Sequence, residues 1–161
     1  MNLKVLRKSR HVPEPGDVFA MQPPDGRFLY GRVIANDANP LSVGGGILLY
    51  VYRAPADKKD DVPELSRDDL LTAPLITNRQ PWSKGYFEHI AHAPLTHEDR
   101  LPRHCFQDFG RYFDEYANEL DGSIPPPAGI GEWGQWGLHS YRTIDDEISK
   151  ALGIPLAPEE P

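Results

Sequence analysis

Apolar and polar positions between residues 17 and 35 follow the two-residue period of β-strands. Asp17–Gln22 alternates, with Val18, Ala20 and Gln22 on one face and Phe19 and Met21 on the other. Pro23-Pro24-Asp25-Gly26 then makes a turn, because Pro fixes φ, Asp bonds its own backbone and Gly accepts a positive φ. Arg27–Ala35 is the return strand. Gly31 inside it predicts a bulge or sharp bend of the kind small barrels require. Gly44-Gly45-Gly46 precedes the unbroken apolar run Ile47–Tyr52, the pattern of a strand buried on both faces. A phosphate-binding loop leads into a helix, so these glycines are not one.

Further along, the periodicity changes. Residues 54–64 form a charged loop, and Ser66 with Asp69 is placed to cap a short helix over 67–72. Leu75–Arg79 and Tyr86–Ile90 predict a second strand pair around Gln80–Gly85. In residues 106–120, Phe106, Phe109, Phe113, Ala117 and Leu120 recur at three- and four-residue spacing. That predicts a helix burying an aromatic stripe, with Asp114, Glu115 and Glu119 on its outer face and Asp121 just beyond. Gly110 weakens such a helix by ~1 kcal/mol relative to Ala. Residues 121–135 are a long Pro/Gly loop, and Trp136–Arg142 reads as a strand. A final helix starts at Thr143, places Ile144, Ile148, Ala151 and Leu152 on its apolar face, and stops at Gly153 before Pro155. The expected fold is α+β. A strongly bent antiparallel sheet or small, partly open barrel of five or six strands carries two principal helices in one domain spanning 1–161.

Composition narrows the class. The 161 residues are 39% hydrophobic and 25% charged, with 17 Pro and 14 Gly, which suits a turn-rich globular chain. No apolar run approaches the ~20 residues of a membrane span, and the start lacks the apolar segment of a signal peptide. Cys105 is the only cysteine, so no internal disulfide forms. The expected location is the cytoplasm. Residues 1–55 carry seven Lys and Arg against four acids, whereas residues 56–161 carry ten against twenty, within a net charge of −7. Such acidity disfavours nucleic acid and suits a basic protein partner, although solubility alone accounts for it equally well.

Candidate chemistry is thin. His89, His92, His97 and His104 fall in one stretch, the last beside Cys105. The spacing of His89 and His92 resembles a metal pair, but Pro94 breaks the helix that would align them, and loop histidines are the simpler expectation. His139 and Ser140 are adjacent, which in a strand sends them to opposite faces, and no nucleophile elbow or dinucleotide fingerprint occurs. Neither catalytic residue, metal nor cofactor is expected. Trp82, Trp133 and Trp136 lie in or beside Gly/Pro-rich turns, where Trp serves either as a binding anchor or as a plug for the end of a barrel.

Gly16-Asp17-Val18-Phe19-Ala20, Asp25-Gly26-Arg27 and Tyr30-Gly31-Arg32-Val33 resemble the opening of immunity protein family 26 of bacterial polymorphic toxin systems. Pro74–Asn78 and the segment from Trp82 to Phe87 are similar to that family's middle region. The resemblance implies a cytoplasmic protein that binds and neutralises a cognate toxin without catalysis, and charge and the lack of a long apolar run add the expectation of no nucleic-acid or membrane partner. Trp82, Asp114, Glu115, Glu119, Asp121 and Trp133 are the candidate partner-binding residues. Two other readings are a small-barrel ribonuclease or other hydrolase, and a generic small-barrel interaction module. The acidity after residue 55 counts against the ribonuclease.

Overall fold

The structure, a computed structural model, describes residues 1–41 and 44–160. Strands β1 (Asp17–Met21), β2 (Leu29–Ala38), β3 (Gly46–Val51), β4 (Leu75–Thr77) and β5 (Glu88–His92) form one antiparallel sheet in the order β4-β3-β2-β1-β5. The sheet does not close into a barrel, since β4 and β5 stand at opposite edges. A four-residue helix, α1 (Gln80–Ser83), links those two strands. Leu75–Thr77 and Glu88–His92 therefore pair with β3 and β1 and not, as expected, with each other.

Strand alternation divides the core in two. Phe19, Met21, Leu29, Val33, Ile47, Leu49 and Val51 point to one face, where they meet Leu3, Trp82, Phe87, Ile144 and Ile148. Ile34, Leu48, Tyr50 and Tyr52 point to the other, beneath Leu70, Ile76 and Phe106. Both faces are covered, which is why β3 reads as an unbroken apolar run. The Pro23–Gly26 turn forms as its residues dictate. Gly26 has φ +85° and donates to the Pro23 carbonyl at 3.1 Å, while Asp25 accepts from the Arg27 amide at 2.9 Å.

Gly31 has another role than the expected bend. It pairs in register with Phe19 across β1, and the register shifts lie elsewhere, at Val18/Phe19 on β1 with β5 and beyond Val33 on β2 with β3. A Cβ at Gly31 would lie 2.3 Å from Phe19 Cζ and 2.7 Å from the Tyr50 carbonyl oxygen. The glycine leaves room for the Phe19 ring to lie against the strand.

Two predicted helices are absent. Residues 67–72 run beside the end of β3, with Tyr52 bridged to Leu70 and the Leu71 amide bonded to Val51. Ser66 caps only a local turn there, through the Asp68 amide. Residues 106–120 instead form a small antiparallel sheet of β6 (Phe106–Asp108), β7 (Arg111–Phe113) and β8 (Glu119–Leu120). Phe109 and Gly110 both have positive φ, +47° and +80°, so the chain reverses there and cannot continue as a right-handed helix. Nor is Trp136–Arg142 a strand. Only a bridge from His139 to Thr77 forms, which covers the edge of β4.

The last helix, α2 (Tyr141–Leu152), starts earlier than expected. Its N-cap is Ser140, whose side chain accepts from the Thr143 amide, and Gly153 ends it at φ +70°. Ile144 and Ile148 are buried, whereas Ala151 and Leu152 are exposed. Asp145 is also buried and accepts from the Asn2 and Leu3 amides at 2.8–3.0 Å. These bonds fix an N-terminal strap that continues past Gly85 and Trp82, with Leu6 and Ser9 donating to their carbonyls.

Candidate functional site

The three-stranded sheet splits the expected buried stripe, keeping Phe106 and Phe113 inside and sending Phe109 out. Phe106 and Phe113 are cross-strand partners facing inward, and Phe113 stacks on Trp136 with ring centroids 4.3 Å apart. Phe109 sits at the hairpin tip and is 100% exposed. A two-residue hairpin turn with positive φ at both positions prefers Asn-Gly or Asp-Gly, because a bulky aromatic is strained in the left-handed region. Here that position carries a large apolar side chain with nothing to cover it.

The following turn is built by Asp114. Its carboxylate accepts from the Tyr116 and Asn118 amides at 2.9 Å and from Asn118 Nδ2 at 3.0 Å. That closes the loop around Ala117, which has φ +67°. Tyr116 is exposed, and its hydroxyl donates to Asp37 at the end of β2 at 3.1 Å. The Asn39 amide donates to the Glu115 carbonyl at 2.7 Å. These bonds hold the small sheet against the large one.

The predicted partner residues separate by environment. Glu119 is exposed and paired with Arg111 at 2.9 Å and 3.2 Å, which holds its carboxyl below the usual range. Asp121 is exposed and accepts from the Ser123 hydroxyl and amide, which lowers its pKa likewise. Glu115 is turned inward. It lies 3.2 Å from His104 Nδ1, and His104 Nε2 meets the Tyr50 hydroxyl at 2.6 Å. Burial pushes the Tyr50 hydroxyl up to about 12, so it stays a neutral hydrogen-bonding group.

The two tryptophans are not surface anchors. Trp82 is 1% exposed and meets the rings of Phe19 and Phe87 edge-on at 5.2 Å. Trp133 is 5% exposed and donates from Nε1 to the Ile124 carbonyl at 2.8 Å, pinning the Pro-rich loop. That loop and the acidic turn border two adjacent hollows of about 280 and 290 Å³ that share Leu101, Pro102 and Arg103. One is apolar, with Ile124 and Pro125–Pro127 on its wall, and the other carries Asp114 and Glu115.

Sequence patterning missed Phe109 because its spacing from Phe106 and Phe113 imitates one face of a helix. The available signal was Gly110 directly after it, between two short alternating runs, Phe106–Asp108 and Arg111–Phe113. No helix among the described residues is long and apolar enough to cross a membrane. The family model described as Immunity protein 26 matches residues 14–112. No curated protein and no solved structure matches the chain.

Proposed function

The chain belongs to the Immunity protein 26 family, and from that membership we propose that it binds a cognate toxin in the cytoplasm and blocks it without catalysis. The surface we assign to that contact is the tip and outer edge of the β6–β8 sheet. Phe109 is its apolar anchor at the β6–β7 tip, with Glu119 and Asp121 along and just past β8, the strand paired with β7.

The observation carrying this reading is Phe109 itself, fully exposed on a backbone conformation that disfavours it. Strain kept on a bulky exposed side chain points to a role outside the fold. Burying such a ring in a partner's pocket contributes ~1.5–3 kcal/mol, enough to make it a dominant contact. Charge supports a basic partner, since residues 106–121 hold five acids against Arg111 alone.

The test is co-expression with any toxin domain found encoded beside the gene for this chain. Wild-type protein should protect cells and co-purify with that domain. Phe109→Ala should fold normally and lose both properties. Protection undiminished by Phe109→Ala would place the contact elsewhere.

A further inference from the structure

At the β1–β5 edge of the large sheet, three histidines converge on one buried carboxylate. Asp17, at the start of β1, is 2% exposed. Its Oδ1 lies 2.8 Å from His92 Nδ1, and its Oδ2 lies 2.7 Å from His11 Nε2 and 3.7 Å from His89 Nδ1. The Glu14 amide also donates to Oδ2, at 2.9 Å. His11 comes from the N-terminal strap, while His89 and His92 come from β5.

A regular strand would send residues 89 and 92 to opposite faces. In β5 the register slips. Asp17 pairs with His92 and Val18 with Ala91, but Phe19 pairs with His89, leaving Ile90 as an extra residue. This bulge brings both histidines to the face that Asp17 and Phe19 share. Gly16 completes the arrangement. At φ +99° it packs so closely on β5 that a Cβ would lie 2.6 Å from the Ala93 carbonyl oxygen and 3.2 Å from the His92 ring.

We propose that His11, Asp17 and His89 form a binding site for a late first-row divalent cation such as Zn²⁺, with His92 holding the second carboxylate oxygen. The three ligand atoms lie within 4.8 Å of one another. Tetrahedral Zn²⁺ at ~2.0–2.1 Å from each ligand separates neighbouring ligand atoms by about 3.3–3.4 Å. The 2.7 Å His11–Asp17 contact would open by roughly 0.6 Å and the 3.7 Å His89–Asp17 gap would close by roughly 0.4 Å. Two imidazoles and a carboxylate suit zinc, cobalt or nickel better than magnesium or calcium. A carboxylate ligand steadied by a further hydrogen bond, here from His92, is the usual support of such sites.

The strongest indication is His89. Its Nδ1 is buried and has no hydrogen-bond partner. A protonated Nδ1 would find its nearest carboxylate oxygen beyond hydrogen-bond range, and a bare Nδ1 would face that oxygen with no proton between them. A cation on the bare Nδ1 supplies the missing partner and bridges it to the carboxylate. The His11 ring stacks on His89 with centroids 4.0 Å apart, which holds the two imidazoles side by side over Asp17. A groove of about 380 Å³, with His11 and His89 on its wall, gives access from solvent. Arg7, Lys8 and Arg10 also line that groove, but they are exposed to solvent and screened. The bound ion would tie the N-terminal strap to the β1–β5 edge.

The experiment is titration of metal-stripped full-length protein with Zn²⁺ and Co²⁺, followed by calorimetry, cobalt absorption and thermal melting. One ion per chain is expected, with a raised Tm and a low-symmetry cobalt spectrum. His89→Gln and His11→Gln should each weaken binding at least tenfold, and His92→Gln by about tenfold. His97→Gln, an exposed histidine outside the cluster, should leave binding unchanged. Circular dichroism confirms that each variant is folded. If one of the two ligand variants fails to fold, the other carries the decision, and cobalt spectra of the wild type with and without chelator stand beside it. Absence of saturable binding overturns the proposal. So does binding that survives both ligand substitutions in folded protein, or binding lost with His97, each of which would mark an adventitious surface ion only.

Discussion

Replacing Phe109 by Asn should separate stability from binding. The Phe109 side chain is fully exposed, so truncation removes no burial from the folded monomer. Its φ of +47° lies in the left-handed region, where an ordinary L-residue is disfavoured by ~1–2 kcal/mol and Asn by less. Phe109→Asn should therefore leave stability unchanged or raise it by up to ~1 kcal/mol, about 2–4 °C in Tm for a chain of this length. Binding should move the other way. Loss of a central aromatic anchor removes at least ~2 kcal/mol, about a thirtyfold rise in Kd. Phe109→Ala is the control, because Ala keeps the backbone strain and loses the ring. It should bind as poorly as Phe109→Asn and melt lower than it. Differential scanning calorimetry and surface plasmon resonance against the toxin domain that co-purifies with wild type read both quantities. A Tm that falls in Phe109→Asn would mean the ring supports the monomer. A Kd within twofold of wild type would refute its role as anchor.

Other consequences can be measured directly. Gly31→Ala should destabilise by ~1–3 kcal/mol through its clash with Phe19, and the penalty should shrink when Phe19→Leu is combined with it, a coupling that denaturant titration of the four proteins measures. Asp99 accepts from the Thr96 amide and pairs with Arg32, which together hold its carboxyl below the usual range. Its contribution is therefore fully present above its unfolded pKa of ~3.9 and is lost as pH falls through the lower folded value. Asp99→Asn should accordingly destabilise near pH 7 and flatten the acid limb of the stability profile. Glu119→Lys with Asp121→Lys should slow toxin association several-fold at low salt, with the difference fading as salt is added. Glu115 is unsuitable for that test, because reversing it against His104 would disturb the fold.

How far these features could be read locally depended on whether a segment's partner lay nearby. Strands β1 to β3 were legible because they follow one another across short connections, and because burial on both faces leaves an apolar run no loop would carry. Helix α2 was legible from its period and Gly153, although Ser140 took the cap one turn before the expected Thr143. Residues 75–79 and 86–90 were recognised as extended, yet their pairing was assigned by proximity along the chain. Their true partners, β3 and β1, lie outside any local window. The 106–120 segment failed for a different reason. Phe106 and Phe113 are seven apart, which suits either two helical turns or a hairpin that folds them face to face. Only the backbone tolerance of Gly110 decides between these, and a stripe count cannot weigh it. The Asp17 cluster was hidden twice, by the distance from His11 to His89 and by a bulge that breaks strand alternation.

The division of labour that emerges also explains why a strained tip can be afforded. Of the small sheet, Phe106 enters the core of the large one, while Phe113 stacks on Trp136 at its margin and Phe109 takes no part in it. The small sheet's attachments are nevertheless numerous. The Gln107 amide donates to Gly134, the Trp136 amide to Gln107, Tyr116 to Asp37, and Glu115 reaches Tyr50 through His104. A hairpin held at so many points loses little conformational freedom on docking, so more of the Phe109 burial energy remains as affinity. A loosely tethered loop bearing the same ring would spend that energy on ordering itself. The matched family region ends at residue 112, within β7, so the turn built by Asp114 and the carboxylates of Glu119 and Asp121 lie beyond it. Gly16, Asp17, Gly31, His89 and His92 all lie inside it. The segment after residue 112 thus adds charge and also several of the bonds that hold the small sheet in place, through Glu115, Tyr116, Gly134 and Trp136.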